Sequence, residues 1–189
     1  MKPELLEAIG FQKQVDIRNI TLDRNEFVKG SYTRLSNLFG QMSKIRTISM
    51  RDCLINDHGF DLLMQEVCNK CVDIEKIDFS NNTLGDKGME EFAKVIKATK
   101  RLQELEVIKL NGNQIQTHGA MTMISAFDKP NNVKEIYLVE NQIKEDFPEL
   151  LVQYMRHVRS QNTDYNHKLI KIDLSGNAIS LCGSRDIDV

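Results

Sequence analysis

The residues best equipped for chemistry are four cysteines and four histidines, and their spacing decides what they can do. Cys68-Asn69-Lys70-Cys71 sets two thiols in the arrangement of half a zinc site or of a redox dithiol. Tetrahedral zinc wants four ligands. Neither a second pair at metal spacing nor a thioredoxin-like βαβ pattern surrounds this one, so the expectation is buried structural thiols. Cys53 and Cys182 stand far from it, and four scattered cysteines do not make a disulfide scaffold. His58 and His118 each precede a glycine and occupy equivalent places in segments that do not adjoin, while His157 and His167 lie elsewhere. No Ser/His/Asp grouping, Gly-rich phosphate loop or paired-carboxylate motif emerges. The sequence reads as non-catalytic, and no metal or cofactor is expected.

Composition narrows the partners. A chain of 189 residues suits one domain. Lys plus Arg number 25 against 27 Asp plus Glu, a net charge of −2, without the basic excess that phosphate backbones or anionic membranes select. Neither nucleic acid nor a membrane is therefore expected as partner, nor any small-molecule substrate. Apolar residues make up 41%, enough for a core. No window approaches 18 consecutive apolar residues, and the start Met1-Lys2-Pro3-Glu4 carries charge where a secretory signal would be apolar. The expectation is a cytoplasmic protein with reduced cysteines.

The elements that position these residues come from a repeat. The triplets Ile17-Ile20-Leu22, Ile45-Ile48-Met50, Ile74-Ile77-Phe79, Leu105-Ile108-Leu110, Val133-Ile136-Leu138 and Leu169-Ile172-Leu174 share the spacing LxxLxLxx. Three positions after each stands Asn25, Cys53, Asn82, Asn113, Asn141 or Asn177, and two further on an apolar residue. Gly59, Gly88, Gly119 and Gly183 fall six after the Asn/Cys, with Ser31 and Phe147 in that place in the first and fifth repeats. Alternation in the triplet predicts a short strand. The period then changes to 3.6: Phe60-Leu63-Met64-Val67, Met89-Phe92-Ala93-Ile96 and Ala120-Met123-Ile124-Phe127 each lay one apolar stripe on a helix, and the same counting gives Pro148-Leu151-Val152-Met155 in the fifth repeat. One strand and one helix cannot hide their apolar faces alone, so successive copies must stack, strands in one parallel sheet and helices in a second layer. Helices need 8 to 10 Å of separation and strands about 4.8 Å, so the solenoid should curve with its sheet inside.

This pattern, LxxLxLxx(N/C)xL with a helix in each unit, resembles the leucine-rich repeat, and its repeat length and glycine column resemble the ribonuclease-inhibitor-like subclass. The resemblance covers about Ile17 to Gly183. It implies a right-handed α/β solenoid of about six repeats that recognises other proteins. The expected layout is a helical cap over residues 1–16, built on Pro3 to Ile9, repeats over 17–183 and a tail over 184–189. Residues after Asn177 do not continue the helical pattern. The tail, a partner or further chain are open alternatives for covering the last coil. The Asn/Cys column is expected to be scaffold, each carboxamide bridging backbone groups between coils.

Function must then draw on the exposed sheet face. Its outward positions are small or carry mixed charge, except Val107, Tyr137 and Val139 of neighbouring coils. With Lys76, Lys109, Glu135 and Lys171 around them, these three form an expected apolar patch for a partner protein. Two alternatives come with the resemblance: an activator of a small GTPase, similar to the Ran GTPase-activating protein, and tropomodulin-like binding of actin.

Overall fold

The computed structural model describes residues 16–27, 30–42, 44–71, 73–98, 101–127, 132–161 and 168–179. Six three-residue strands form one sheet in chain order: β1 (Asn19–Thr21), β2 (Thr47–Ser49), β3 (Lys76–Asp78), β4 (Val107–Lys109), β5 (Glu135–Tyr137) and β6 (Lys171–Asp173). Every neighbouring pair is parallel, and the register places Ile20, Ile48, Ile77, Ile108, Ile136 and Ile172 side by side. Register and repeat are thus the same fact. Among the described residues five α-helices connect the strands: α1 (Ser31–Phe39), α2 (Asp57–Lys70), α3 (Asp86–Ala98), α4 (Thr117–Ile124, continued by a 3₁₀ turn) and α5 (Phe147–Gln161). The cap proposed for Pro3 to Ile9, Gly183 and the tail lie outside the described residues.

The core lies between sheet and helices. Ile48, Ile77 and Ile108 are fully buried against α2, α3 and α4, whose stripes Phe60-Leu63-Met64-Val67 and Ala120-Met123-Ile124 are buried as well. Phe60 ties two coils together, meeting Phe79 edge-on at 4.9 Å and Phe92 at 5.5 Å. At the two ends the same positions, Ile20 and Leu22 or Ile172 and Leu174, are only partly buried, because each has a neighbouring coil on one side.

Side chains reaching backwards hold each coil to the one before it. Asn82 accepts from the Cys53 and Ile55 N–H groups at 3.1 and 2.9 Å and donates to the carbonyl of Met50 at 2.8 Å and to those of its own turn. Asn113, Asn141 and Asn177 repeat this, accepting from Leu84, Ile115 and Ile143. Asn25, in the first coil, donates to Leu22 and Asp23 of its own turn, and the Cys53 thiol lies 3.2 Å from the Leu22 carbonyl. One residue earlier in every coil the backbone turns left-handed, at Arg24, Asp52, Asn81, Gly112, Glu140 and Gly176.

A second ladder runs in the opposite sense and is not part of the repeat as read from the sequence. Asp57 accepts from Gly85 N–H at 2.7 Å, Asp86 from Gln116 N–H at 2.8 Å, and Thr117 from Lys144 N–H at 3.0 Å. Two members of the glycine column, Gly88 and Gly119, follow from it. A Cβ on Gly88 would stand 2.6 Å from the Asp57 carboxylate, and one on Gly119 2.8 Å from the Asp86 Cα. The Asp-x-Gly spelling of Asp57-His58-Gly59 and Asp86-Lys87-Gly88 was its available signal.

The fifth helix corrects the expected stripe. Phe147 occupies the glycine place and is fully buried, and the inward face continues through Leu151, Tyr154 and Val158. Pro148 is exposed and Val152 is 47% exposed. Starting the stripe one residue early rotates the helix by about a quarter turn, since a turn takes 3.6 residues.

Three substitutions test this account by chemical denaturation. Asn82→Ala leaves two backbone donors and several carbonyls unpartnered in the interior and should lower stability by about 2 to 4 kcal/mol, against about 1 kcal/mol for Asn25→Ala. Gly119→Ala drives a methyl against backbone of the preceding helix and should lower stability by about 1 to 3 kcal/mol. Equal effects of the two asparagine variants would contradict the ladder's directionality.

Candidate protein-binding face

The face of the sheet turned away from the helices carries the residues singled out by sequence. Register sets Lys76, Val107, Glu135 and Lys171 in one row across β3 to β6, and Asp78, Lys109, Tyr137 and Asp173 in the next. Val107, Lys109, Glu135, Tyr137 and Lys171 are therefore brought together, with Lys76 one strand beyond Val107 and Val139 just past the end of β5. Val107, Tyr137 and Val139 are each half-buried.

Tyr137 is more constrained than an exposed aromatic. Lys109 Nζ lies 5.0 Å from its ring centroid and Lys171 Nζ 4.4 Å, the two lysines reaching it from the strands on either side. The Tyr137 hydroxyl donates to Glu135 at 2.7 Å, and Lys171 Nζ donates to that hydroxyl at 3.3 Å. The contact with Tyr137 pushes Lys171 above the ordinary lysine range, and hydrogen bonds from Ser175 hold Asp173 below the usual carboxylate range. The expected apolar patch is thus an aromatic pillar flanked by cations. Two side chains act across coils on the same face: Asp23 accepts from Ser49 Oγ at 2.7 Å, and Asn111 from Val139 N–H at 2.9 Å.

The recurring string Lys-Ile-Asp-x-Ser marks a feature that residue types alone did not expose. In Lys76-Ile77-Asp78-Phe79-Ser80 and Lys171-Ile172-Asp173-Leu174-Ser175 the aspartate accepts from both the backbone N–H and the hydroxyl of the serine. Both acids are thereby folded back onto their own strand.

Elsewhere, a crevice of about 520 Å³ opens between the starts of α4 and α5, beside Thr117, Met121 and Leu150. It lies where Phe147 replaces the glycine that lets neighbouring helices approach closely. His118 meets Glu90 at 3.3 Å on the surface. Cys53, Cys68 and Cys71 are buried thiols outside any disulfide, and the Cys71 thiol donates to the Met42 carbonyl at 3.1 Å. Burial pushes Cys71 up to about 11 and raises Cys68 and Cys53 as well. Among the described residues no group of three or more His, Cys, Asp or Glu side chains is placed to hold a metal ion, and no helix is long and apolar enough to cross a membrane.

Known proteins agree with this architecture. A family model described as "Leucine Rich repeat" matches residues 70–93. The fold is shared with actin-binding site 2 of leiomodin-1, at 12% identity and a TM-score of 0.55 over 85% of this chain and 88% of that one. It is shared too with the tropomodulin C-terminal domain of Caenorhabditis elegans, at 12% identity and a TM-score of 0.53 over 86% and 98%, and with an internalin of Listeria monocytogenes, at 12% and 0.52 over 87% and 43%. Six stacked coils of one strand-and-helix unit, with this match inside them, make the chain a leucine-rich repeat protein. In sequence it is 22% identical over 173 residues to a Rho GTPase-activating protein of Dictyostelium discoideum, covering 86% of this chain. The chain spans 14% of the length of that curated relative.

Buried, protonated thiols should be inert. Burial holds these thiols protonated at pH 8 and away from reagent, so iodoacetamide should leave Cys53, Cys68 and Cys71 unmodified until denaturant is added, as peptide mass spectrometry would record. Rapid labelling of the native protein at Cys68 or Cys71 would show that this dithiol is accessible.

Proposed function

We propose that this protein is a non-catalytic recognition module that binds a partner protein through the open face of its sheet, centred on Tyr137. The observation that carries the reading is the fixing of that ring by Lys109, Lys171 and Glu135, residues from three adjacent strands. A side chain already immobilised in the free protein loses little further freedom on binding, and aromatic anchors bordered by charge are common centres of protein interfaces. Val107, Val139 and Lys76 extend the surface. The ladder residues Asn25, Cys53, Asn82, Asn113, Asn141 and Asn177 serve as scaffold. Leucine-rich repeats are typically interaction modules, which supports the same class, and repeat length with the glycine column supports the ribonuclease-inhibitor-like subclass. On this reading the protein works in the cytoplasm, with the cap, repeat and tail layout given by its sequence.

Two more specific readings follow from similar proteins. Leiomodin-1 supplies an actin-binding site with this fold, and the sequence relative is named as a Rho GTPase-activating protein. Pelleting with actin filaments and a hydrolysis assay with small GTPases distinguish these from a third partner.

Tyr137→Ala should leave the melting temperature nearly unchanged and weaken the partner complex by more than about 1 kcal/mol. Affinity purification with mass spectrometry, comparing wild type with Tyr137→Ala plus Val139→Ser, identifies which partner is lost, and calorimetric titration measures the loss. The same partners recovered at the same affinity would remove this face from consideration.

A further inference from the structure

Each coil presents a fixed set of backbone groups to the one that follows. The carbonyl just before the strand accepts an N–H from the next coil, as Arg46 does from Glu75 at 2.8 Å and Lys134 from Ile170 at 2.9 Å. The N–H groups just past the strand and in its turn donate forward, as Leu138 does to Asp173 and Glu140 to Ser175, both at 2.8 Å. The next coil's asparagine closes the set: Asn177 Oδ1 accepts from Ile143 N–H at 3.0 Å, and its Nδ2 donates to the Leu138 carbonyl at 2.7 Å. In the sixth coil the equivalent groups are the Ile170 carbonyl, the N–H groups of Leu174, Gly176 and Ile179, and the Leu174 carbonyl. Among the described residues the first four have no partner, and the Leu174 carbonyl accepts from Asn177 of its own turn. Pairing between coils continues past the strand, as the bridge of Lys144 with Ala178 shows, so this edge runs from Ile170 to Ile179.

Side chains along the edge are those of a surface built to be covered. Residues 168–179 contain no proline, and the inward positions Leu169, Ile172 and Leu174 are apolar and partly buried, so neither proline nor an inward-pointing charge blunts it. Ile170 is an independent mark. In the other five coils its place holds Arg18, Arg46, Glu75, Glu106 or Lys134, and these charges pair along the column, Arg46 with Glu75 at 3.0 Å and Lys134 with Glu106 at 2.6 Å. The sixth coil ends this run with an isoleucine that is 77% exposed.

We propose that this edge docks an extended segment of a partner protein, laid parallel to β6 as a seventh strand and spelled apolar-x-apolar-x-x-Asn. The groups it meets set its chemistry. Extended backbone supplies an N–H for the Ile170 carbonyl and carbonyls for Leu174 and Gly176 N–H. Its alternate apolar side chains extend the inward row that holds Ile136 and Ile172. A side-chain carboxamide offers an acceptor for Ile179 N–H and a donor for the Leu174 carbonyl at once, as Asn177 does for the fifth coil. Residues 180–189 contain no asparagine, so that carboxamide is not among them. The site is distinct from the face centred on Tyr137 and does not rest on it.

The test titrates the ¹⁵N-labelled full chain with a synthetic peptide copying residues 105–115, which carries the spelling in Ile108-Lys109-Leu110-Asn111-Gly112-Asn113, alongside its Asn113→Ala version and a scrambled one. At concentrations up to about 1 mM, the first peptide should shift amides between Ile170 and Ile179 and slow hydrogen exchange at Leu174, Gly176 and Ile179 about tenfold. Asn113→Ala in the peptide should weaken binding about fivefold. Ile170→Lys in the protein should weaken it several-fold with the melting temperature unchanged, because that side chain is exposed. No shifts from the first peptide, shifts confined to other coils, or equal binding by the altered peptides would each overturn the proposal. Self-association in sedimentation velocity that Ile170→Lys abolishes would assign the edge to a second copy instead. Slow exchange at Leu174, Gly176 and Ile179 in the free monomer, with nuclear Overhauser contacts to residues 180–189, would assign it to the chain's own tail. Either of these results would also overturn the proposal.

Discussion

A backbone that turns at the end of a three-residue strand strands polar groups that its own coil cannot satisfy, and the structure depends on their being satisfied from the neighbour. Asn82, Asn113, Asn141 and Asn177 do this from one side, while Asp57, Asp86 and Thr117 do it from the other. No coil in the middle of the chain is complete without the next. The apolar core follows the same logic: Phe60 finds its aromatic partners in the following coil, so packing and hydrogen bonding close across the same junctions. Sheet register, helix spacing and the position of every outward residue are consequences of that closure.

Much of this could be read directly from residues. The triplets fixed the strands, because only one face of so short an element can be buried, and the asparagine column fixed where each turn falls. Three of the helical stripes were legible for the same reason. What escaped was whatever depended on the relation between coils. Asp57 and Asp86 look like ordinary acids opening a helix until the next coil's N–H groups are placed against them. The helix of the fifth coil was misread by one position, since Phe147 looks like a missing glycine in the column and is in fact the first inward residue of the stripe. At the candidate site, composition marked Tyr137 as unusual. Its clasp by lysines far apart in sequence required both the register and side-chain direction, and only the first is written in the repeat.

The proposed binding face and the scaffold share no residues but are not independent. Tyr137 and Lys171 belong to adjacent coils whose junction is held by Asn177 on Ile143 and Leu138. Strand pairing of β4, β5 and β6 sets the separation of the two ammonium groups, so the geometry of the surface inherits the rigidity of the ladder beneath. Function in such a molecule can diverge along the outward positions while the inward ones stay fixed.

The exchange of glycine for phenylalanine at Phe147 separates a run of like junctions from one of different build. Junctions from the second coil to the fourth are built alike, an acid on one helix start facing glycine on the next, so a duplicated unit spliced among them would meet the chemistry it expects on both sides. The junction before α5 has no such twin. A unit inserted at that boundary would not find a matching junction on either side.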